Sequence, residues 1–443
     1  MNLRRWAVII RPVRGAVVNE IKGGTDMDRP IRGARIALLL LLAINLFNYV
    51  DRQVLAAVEP DIRRALLPNV ADPKAKMGLL SGAFTITYML AAPLFGWMAE
   101  RTSRWWLIGA GVLVWSLASG ASGLAVTFGM LLATRCFVGI GEAAYGPAAP
   151  TVISDLYPVR IRGRVLSWFY MAIPVGSALG YALGGQLAES RLGWRSAFFV
   201  VVPPGLLLGA LCFLMREVRR GASDAAAPVR APKLKDHLVL LHTPSYVLDT
   251  LGMAAMTFAI MGVGYWMPEY MEVRHVPGFW GLSPRLVFGA ITALAGLMAT
   301  LLGGIAGDVL RGRFSGSYFL VSALGLLVGA PLIVLMLHAP FPTAWIVIFA
   351  AVFCLFFNTG PSNAILANVT HPAIRATAFA VNIFVIHLLG DAISPTVVGW
   401  IADRHGMDAG FQFMAGIMAL GGLLWLWGAR YLGRDTELAP SRL

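Results

Sequence analysis

Cysteine, lysine and charge of either sign are all scarce in this chain. Its three cysteines, Cys136, Cys212 and Cys354, each fall inside an apolar stretch. That excludes a disulfide framework or a zinc-binding spacing and leaves them as small packing residues. The five lysines, at positions 22, 74, 76, 233 and 235, include none in a Gly-x-x-x-x-Gly-Lys-Ser/Thr loop. No loop is long enough for a nucleotide-binding domain, so an ATP-driven pump built on this chain alone is excluded. Charged residues make up 13% of the chain, roughly half of the ~25% usual in a soluble domain. A large soluble core is therefore excluded, because no long polar segment exists to solvate one. A membrane acyltransferase would need catalytic groups at the interface, and no His-x-x-x-x-Asp pattern is present. No enzyme activity, metal or cofactor is expected.

What the chain has in abundance is apolar sequence: 58% hydrophobic residues and a mean hydropathy of +0.70. About 20 consecutive apolar residues span a bilayer as a helix, which satisfies its own backbone in lipid. Twelve such spans are predicted, near 36–58, 77–99, 105–127, 129–153, 165–187, 196–215, 246–270, 286–308, 316–337, 343–366, 376–401 and 410–430. The fold class is an all-α membrane protein. A net charge of +13 would suggest nucleic acid in a soluble protein. Here the spans put 25 of the 36 Lys and Arg on the amino-terminal side of the membrane, 9 on the other, and Arg52 and Arg135 inside. The positive-inside rule then places both termini and the central loop in the cytoplasm. Anionic lipid headgroups, not nucleic acid, are the expected partners of that basic face. Residues 1–34 read as a cytoplasmic tail, because their apolar piece at 7–10 is too short for a signal-peptide core.

The segment from Glu217 to Lys235 is basic and rich in Pro and Ala, so it reads as a linker. The expected units are a six-helix half over 35–216, a linker over 217–243, a second six-helix half over 244–432 and a tail over 433–443. A short pattern marks the ends of spans 2, 5, 8 and 11: Gly96-Trp-Met-Ala-Glu100, Gly185-Gln-Leu-Ala-Glu189, Gly304-Ile-Ala-Gly-Asp308 and Gly399-Trp-Ile-Ala-Asp403. The first and third copies lie 208 residues apart, the second and fourth 214. Three-helix units nested in six-helix halves describe the major facilitator architecture. The first and third copies continue with Arg101 and Arg104, and with Arg311 and Arg313. Glycine lets helices approach closely, and the acid can pair with loop arginines and with a helix terminus across the half-interface. The pattern therefore predicts a cytoplasmic latch from Gly96, Glu100, Arg101, Arg104, Gly304, Asp308, Arg311 and Arg313. Ordinary loop charges would explain any single copy, but not four in register.

Four charges interrupt the apolar runs. Asp51 and Arg52 sit in the first span, Arg135 and Glu142 in the fourth. Each costs roughly 2.5–3.5 kcal/mol at mid-bilayer on insertion scales. Arg135 and Glu142 are two helical turns apart and share a face. The functional reading is a proton- and substrate-binding cluster; the alternative is a set of ion pairs locking the half together. Desolvation offsets most of the attraction in a buried pair, which favours the first. Two carboxylates and two guanidinium groups cancel, so protonating Asp51 and Glu142 leaves two positive charges for a phosphate or carboxylate headgroup. Asn48, Tyr49 and Tyr145 flank the cluster as candidate substrate contacts. In the second half, His387 and Asp391 lie four apart on one face, as a further polar patch, a proton relay or a satisfied helix pair near Pro395. Phe47, Tyr49, Tyr88, Tyr145 and Phe356 are either an apolar wall for an acyl chain or packing.

These residues carry a family resemblance. Asn48-Tyr-Val-Asp51-Arg52 followed by Val58-Glu-Pro-Asp61-Ile62 resembles the first helix of spinster-type transporters. Arg135…Val138-Gly-Ile-Gly-Glu142-Ala-Ala-Tyr145, followed by Ala149-Pro-Thr-Val-Ile-Ser-Asp155, resembles their fourth. His387-Leu-Leu-Gly-Asp391-Ala-Ile-Ser-Pro395 resembles their eleventh. The first latch copy departs from the family pattern, with Glu100 for the common Asp. The resemblance implies a major facilitator protein in which Asp51 and Glu142 couple protons and Arg52 and Arg135 contact a lysophospholipid headgroup. The expectation is thus a proton-coupled secondary active transporter of an amphipathic anion, a lysophospholipid or a sphingosine-phosphate-like lipid, working by alternating access. A soluble organic anion or organophosphate would suit the same arginine pair, and a non-transporting membrane sensor is the remaining reading. The Ala/Arg-rich, lysine-poor usage points to a bacterial inner membrane, and a monomer is expected.

Overall fold

The structure is a computed structural model that describes residues 30–68, 73–224, 232–279 and 281–442. Most of the predicted tail and part of the predicted linker lie outside these residues. The described residues form helices, with no strand among them: α1 (Ala34–Ala57), α2 (Glu59–Leu66), α3 (Pro73–Ala99), α4 (Arg104–Gly123), α5 (Phe128–Tyr145), α6 (Ala148–Leu156), α7 (Arg162–Tyr170), α8 (Ala172–Glu189) and α9 (Arg195–Cys212). After the linker come α10 (Pro244–Val273), α11 (Pro284–Arg311), α12 (Ser317–His338), α13 (Ala344–Phe356), α14 (Thr359–Val369), α15 (Arg375–Ile386), α16 (Ser394–His405), α17 (Met407–Gly428) and α18 (Leu432–Leu438). One π-turn, His387–Asp391, joins α15 to α16.

Eleven helical stretches among the described residues are long and apolar enough to cross a membrane. The predicted span 129–153 is not one of them. It divides at Gly146-Pro147 into α5 and α6, of 18 and 9 residues, because proline lacks the N–H that a continuous helix needs. The helices before the linker pack largely on one another, α1 along α8 and α4 between α5 and α9. Those after it do likewise, with α17 against α10 and α12. The two bundles meet where α3 touches α15 and where α7 and α8 touch α11.

Glycine sets these spacings where helices nearly touch. A Cβ on Gly180 would lie 2.5 Å from the Val50 carbonyl oxygen, and one on Gly176 2.7 Å from Tyr49 Cβ. That strip seats α1 on α8 and fixes where Asp51 and Arg52 point. Gly111 and Gly141 do the same for α4 and α5, with 2.6 Å from a Gly111 Cβ to the Gly141 oxygen.

The last residues are more than a tail. Asp435 in α18 accepts a hydrogen bond from Ser245 N at the start of α10 (2.9 Å) and pairs with Arg442 (2.6 Å). A carboxylate at a helix N-terminus satisfies free N–H groups and favours the dipole.

Candidate functional site

The four intramembrane charges meet between α1 and α5. Arg52 pairs with Glu142 through Nη2 (2.5 Å) and donates from Nε at 2.7 Å. Asp51 accepts from the Ser119 hydroxyl on α4, and its other oxygen lies 4.0 Å from Arg135 Nη2. Asp51, Arg135 and Glu142 are 2%, 2% and 1% exposed, so none faces lipid. Arg52 is the member with an open side, and it lies over the rings of Tyr49, Phe84 and Tyr88 at 5.1, 4.8 and 5.3 Å. Such contacts stabilise a cation by about 0.5–2 kcal/mol each.

Among the described residues the cluster is under-satisfied. Arg135 Nε and Nη2, Asp51 Oδ2, Glu142 Oε1 and Asn48 Nδ2 are buried with no hydrogen-bond partner. Buried polar groups are normally paired, and each orphan costs about 1–3 kcal/mol. Three atoms of this set are donors and two are acceptors, which suits proton binding on the carboxylates and anion binding on the guanidinium.

Tyr88 links the cluster to the other bundle. Its ring meets His387 edge-on, with centroids 5.3 Å apart. His387 Nδ1 lies 2.7 Å from Asp391 Oδ2, and Asp391 Oδ1 has no partner. The π-turn carries this pair; at Gly390 it packs so close to α10 that a Cβ would sit 2.9 Å from Thr257 Cβ. Tyr145 is placed differently from the other candidates. Its hydroxyl donates to the Leu41 carbonyl (3.0 Å) and its ring packs on Trp115, which makes it a brace for α5.

A second polar assembly closes the end of the molecule that carries the linker. Glu100 accepts from Thr377 N (2.9 Å), the third residue of α15. Asp308 accepts from Arg164 N (2.8 Å), the third residue of α7. Each acid thus caps a helix of the opposite bundle. The repeat glycines explain the reach: a Cβ on Gly96 would lie 2.5 Å from Ala380 Cβ, and one on Gly304 2.8 Å from the Gly163 oxygen. The other two copies differ. Gly185 faces open space, and Gly399 packs against Trp266 within its own bundle.

The loop arginines do not pair with these acids as a set. Arg101 stacks on Trp97 (4.2 Å) and reaches Glu100 only at 3.5 Å. Arg104 pairs with Asp155 (2.5 Å) and with Glu217 of the linker (2.7 Å). Arg311 lies over Tyr318 (5.2 Å), and Arg313 is exposed.

Sequence reasoning missed the centre of this assembly. Arg375 joins Asp155 (2.8 Å) across the bundles, Arg162 donates to Asn368 Oδ1 (2.7 Å), and Asp224 of the linker bridges Arg162 and Arg375 (2.8 Å each). Arg162 and Arg375 are 213 positions apart, as are Asp155 and Asn368, so the internal repeat carried the signal. Burial pushes the Asp224 carboxyl up, but the two guanidinium groups outweigh it and hold it below the usual carboxylate range. His237 of the linker bonds Glu100 (2.9 Å), and that bond raises its pKa against the opposing effect of burial.

Residues 41–395 match the family model of the Major Facilitator Superfamily. Protein spinster of Drosophila melanogaster is 35% identical over 381 residues, 84% of this chain and 62% of that relative's length. The sphingosine-1-phosphate transporter SPNS2 of Mus musculus is 36% identical over 431 residues, 90% of this chain and 78% of its own. Among solved structures, a bacterial homologue of human lysosomal spinster, inward-facing and unoccupied, aligns with a TM-score of 0.59 at 22% identity, covering 93% of this chain and 98% of that one. The chain belongs to the spinster family of the major facilitator superfamily. It is a multi-pass membrane transporter rather than an enzyme.

Proposed function

We propose that the protein is a proton-coupled transporter of an amphipathic anion, a lysophospholipid or a sphingosine-phosphate-like lipid, working by alternating access. The observation that carries this reading is the Arg135 guanidinium, 2% exposed and with two nitrogens unpartnered, 4.0 Å from Asp51 and beside the Arg52–Glu142 pair. A buried cation left open in this way suits an anionic headgroup. The order of events follows from charge balance. Proton binding to Asp51 and Glu142 releases Arg135 and Arg52, the headgroup binds between them, and loss of the protons expels it. His387 and Asp391 approach the same headgroup from the second bundle, through Tyr88. Tyr49, Phe84 and Tyr88 form an aromatic wall on the way to the acyl chain.

In this reading the chain crosses the membrane twelve times, with α5 and α6 together making the fourth crossing. The two halves are 35–216 and 244–432. Both termini and the linker are cytoplasmic, in a bacterial inner membrane, and the protein acts as a monomer. Glu100 and Asp308 latch the cytoplasmic side while the site faces outward. The test is uptake into proteoliposomes under an imposed pH gradient, with lysophospholipids and soluble organophosphates as parallel substrates. Gradient-driven lysolipid flux is the expected result. Flux of the soluble organophosphate alone would replace the lipid reading, and binding without flux would make the protein a sensor.

A further inference from the structure

A second group of unpaired donors lies away from the transport cluster, at the linker end. A cavity of about 730 Å³ opens there. Its walls come from both bundles, the linker and the C-terminal region around α18. Four buried side-chain atoms of its lining residues have no hydrogen-bond partner among the described residues: Arg311 Nη1, Arg375 Nε, Asn368 Nδ2 and Thr436 Oγ1. Arg375 and Asn368 are 2% and 4% exposed. Three of the four are N–H groups that only donate, and the threonine hydroxyl donates as well. Arg160 adds an exposed guanidinium from the other bundle. Of the two carboxylates in the wall, Asp224 is already held by Arg162 and Arg375, and Glu437 is exposed. With Arg160, Arg311 and Arg375 in the wall and Glu437 the one carboxylate not already held, the cavity suits acceptors carrying negative charge. Guanidinium forks and amide N–H groups match a tetrahedral oxyanion, whose oxygens all accept.

We propose that this cavity binds a phosphate group, and that its occupancy holds the linker end closed. Arg160 belongs to the first bundle, Arg311, Asn368 and Arg375 to the second, and Thr436 to the C-terminal helix. A phosphate there bridges parts that must separate when that end opens. It binds the closed state alone and so shifts the population toward it by its differential affinity. The phosphate belongs either to a small soluble monoester or to an anionic lipid headgroup; both offer the same oxygens.

The test uses the full chain and reads binding apart from transport; phosphate bound at the Arg52–Arg135 cluster is told apart because the variant below changes only residues of this cavity. Thermal unfolding is followed with inorganic phosphate and glycerol 3-phosphate against chloride at matched ionic strength. A parallel arm uses nanodiscs of phosphatidic acid against phosphatidylcholine. The expected result is a saturable rise in unfolding temperature specific to phosphate. The pair Arg160→Gln/Thr436→Val, which leaves the bridging ion pairs intact, should weaken it by at least about tenfold, because it removes two donors to the anion and one charge-assisted hydrogen bond alone is equivalent to roughly that. A rise in the lipid arm alone, lost in the same variant, assigns the site to a headgroup. Equal effects of phosphate and chloride with no difference between the lipids, or undiminished binding in the double variant, would overturn the proposal.

Discussion

Among the four charges of the cluster, Arg135 stands apart. It is the one charge of the four-membered cluster with a guanidinium largely free of partners, while Arg52 is committed to Glu142. Replacing it by lysine keeps the charge but removes the planar fork. Arg135→Lys should therefore weaken anion binding by about tenfold or more, the equivalent of one charge-assisted hydrogen bond at ~1.5–3 kcal/mol; substrate-dependent thermal shift measures this. His237 gives a pH-dependent counterpart at the closed end. Its pKa is raised by Glu100, so its contribution is complete below the ordinary histidine value of about 6.5. It is lost as pH rises through the raised value. Closure should weaken on going from pH 6 to pH 9, by less than about 1 kcal/mol because His237 is only partly buried. His237→Gln should remove that dependence, read as labelling of a cysteine introduced in the linker end.

At the scale of elements, helix pairs are set by glycine, and the charged cluster depends on two of those pairs. Gly180→Leu would force α8 away from Val50 of α1, and overpacking of this kind costs about 1–3 kcal/mol. Lower thermal stability and a displaced Arg52–Glu142 pair are the expected outcome, checked by unfolding and by loss of uptake. Gly96→Leu acts between bundles instead, pushing α3 off α15. It should open the linker end with little change in the fold of either bundle, as spin-label distances would show.

These elements also show what the sequence made legible. Asp51, Arg52, Arg135 and Glu142 stood out because a charge inside an apolar run is costly and rare, and helical spacing put Arg135 and Glu142 on one face. Asp155 entered only as the end of the string that resembles the fourth helix, and Arg162 and Arg375 sit at span ends, where loop charges are common, so only the 213-residue offset distinguished them. The break between α5 and α6 was visible as Pro147, but whether a proline bends or divides a helix depends on its neighbours. The bridge through Asp224 was not legible, because a polar linker carries no periodicity that would dock it.

The whole molecule is two bundles joined at one end by ion pairs and capped helices, with the charged cluster inside the first bundle and linked to the second through Tyr88 and His387. Breaking a buried ion pair by removing one partner leaves charge uncompensated, at a cost of about 3–5 kcal/mol. Asp224→Asn should accordingly free Arg162 and Arg375 and shift the molecule toward opening at the linker end, seen as longer distances there by double electron–electron resonance. The native carboxylate lies below its usual range, so its stabilisation is present above about pH 4 and lost only as pH falls through the depressed value.

The central claim is that Asp51 and Glu142 exchange protons against the anion held by Arg135. Proton movement in proteoliposomes, followed with an enclosed pH dye after adding lysolipid, tests it most directly. The wild-type protein should move protons with substrate, and Asp51→Asn and Glu142→Gln should each bind substrate yet lose all response to a pH gradient. Wild-type gradient response in both variants would contradict the account.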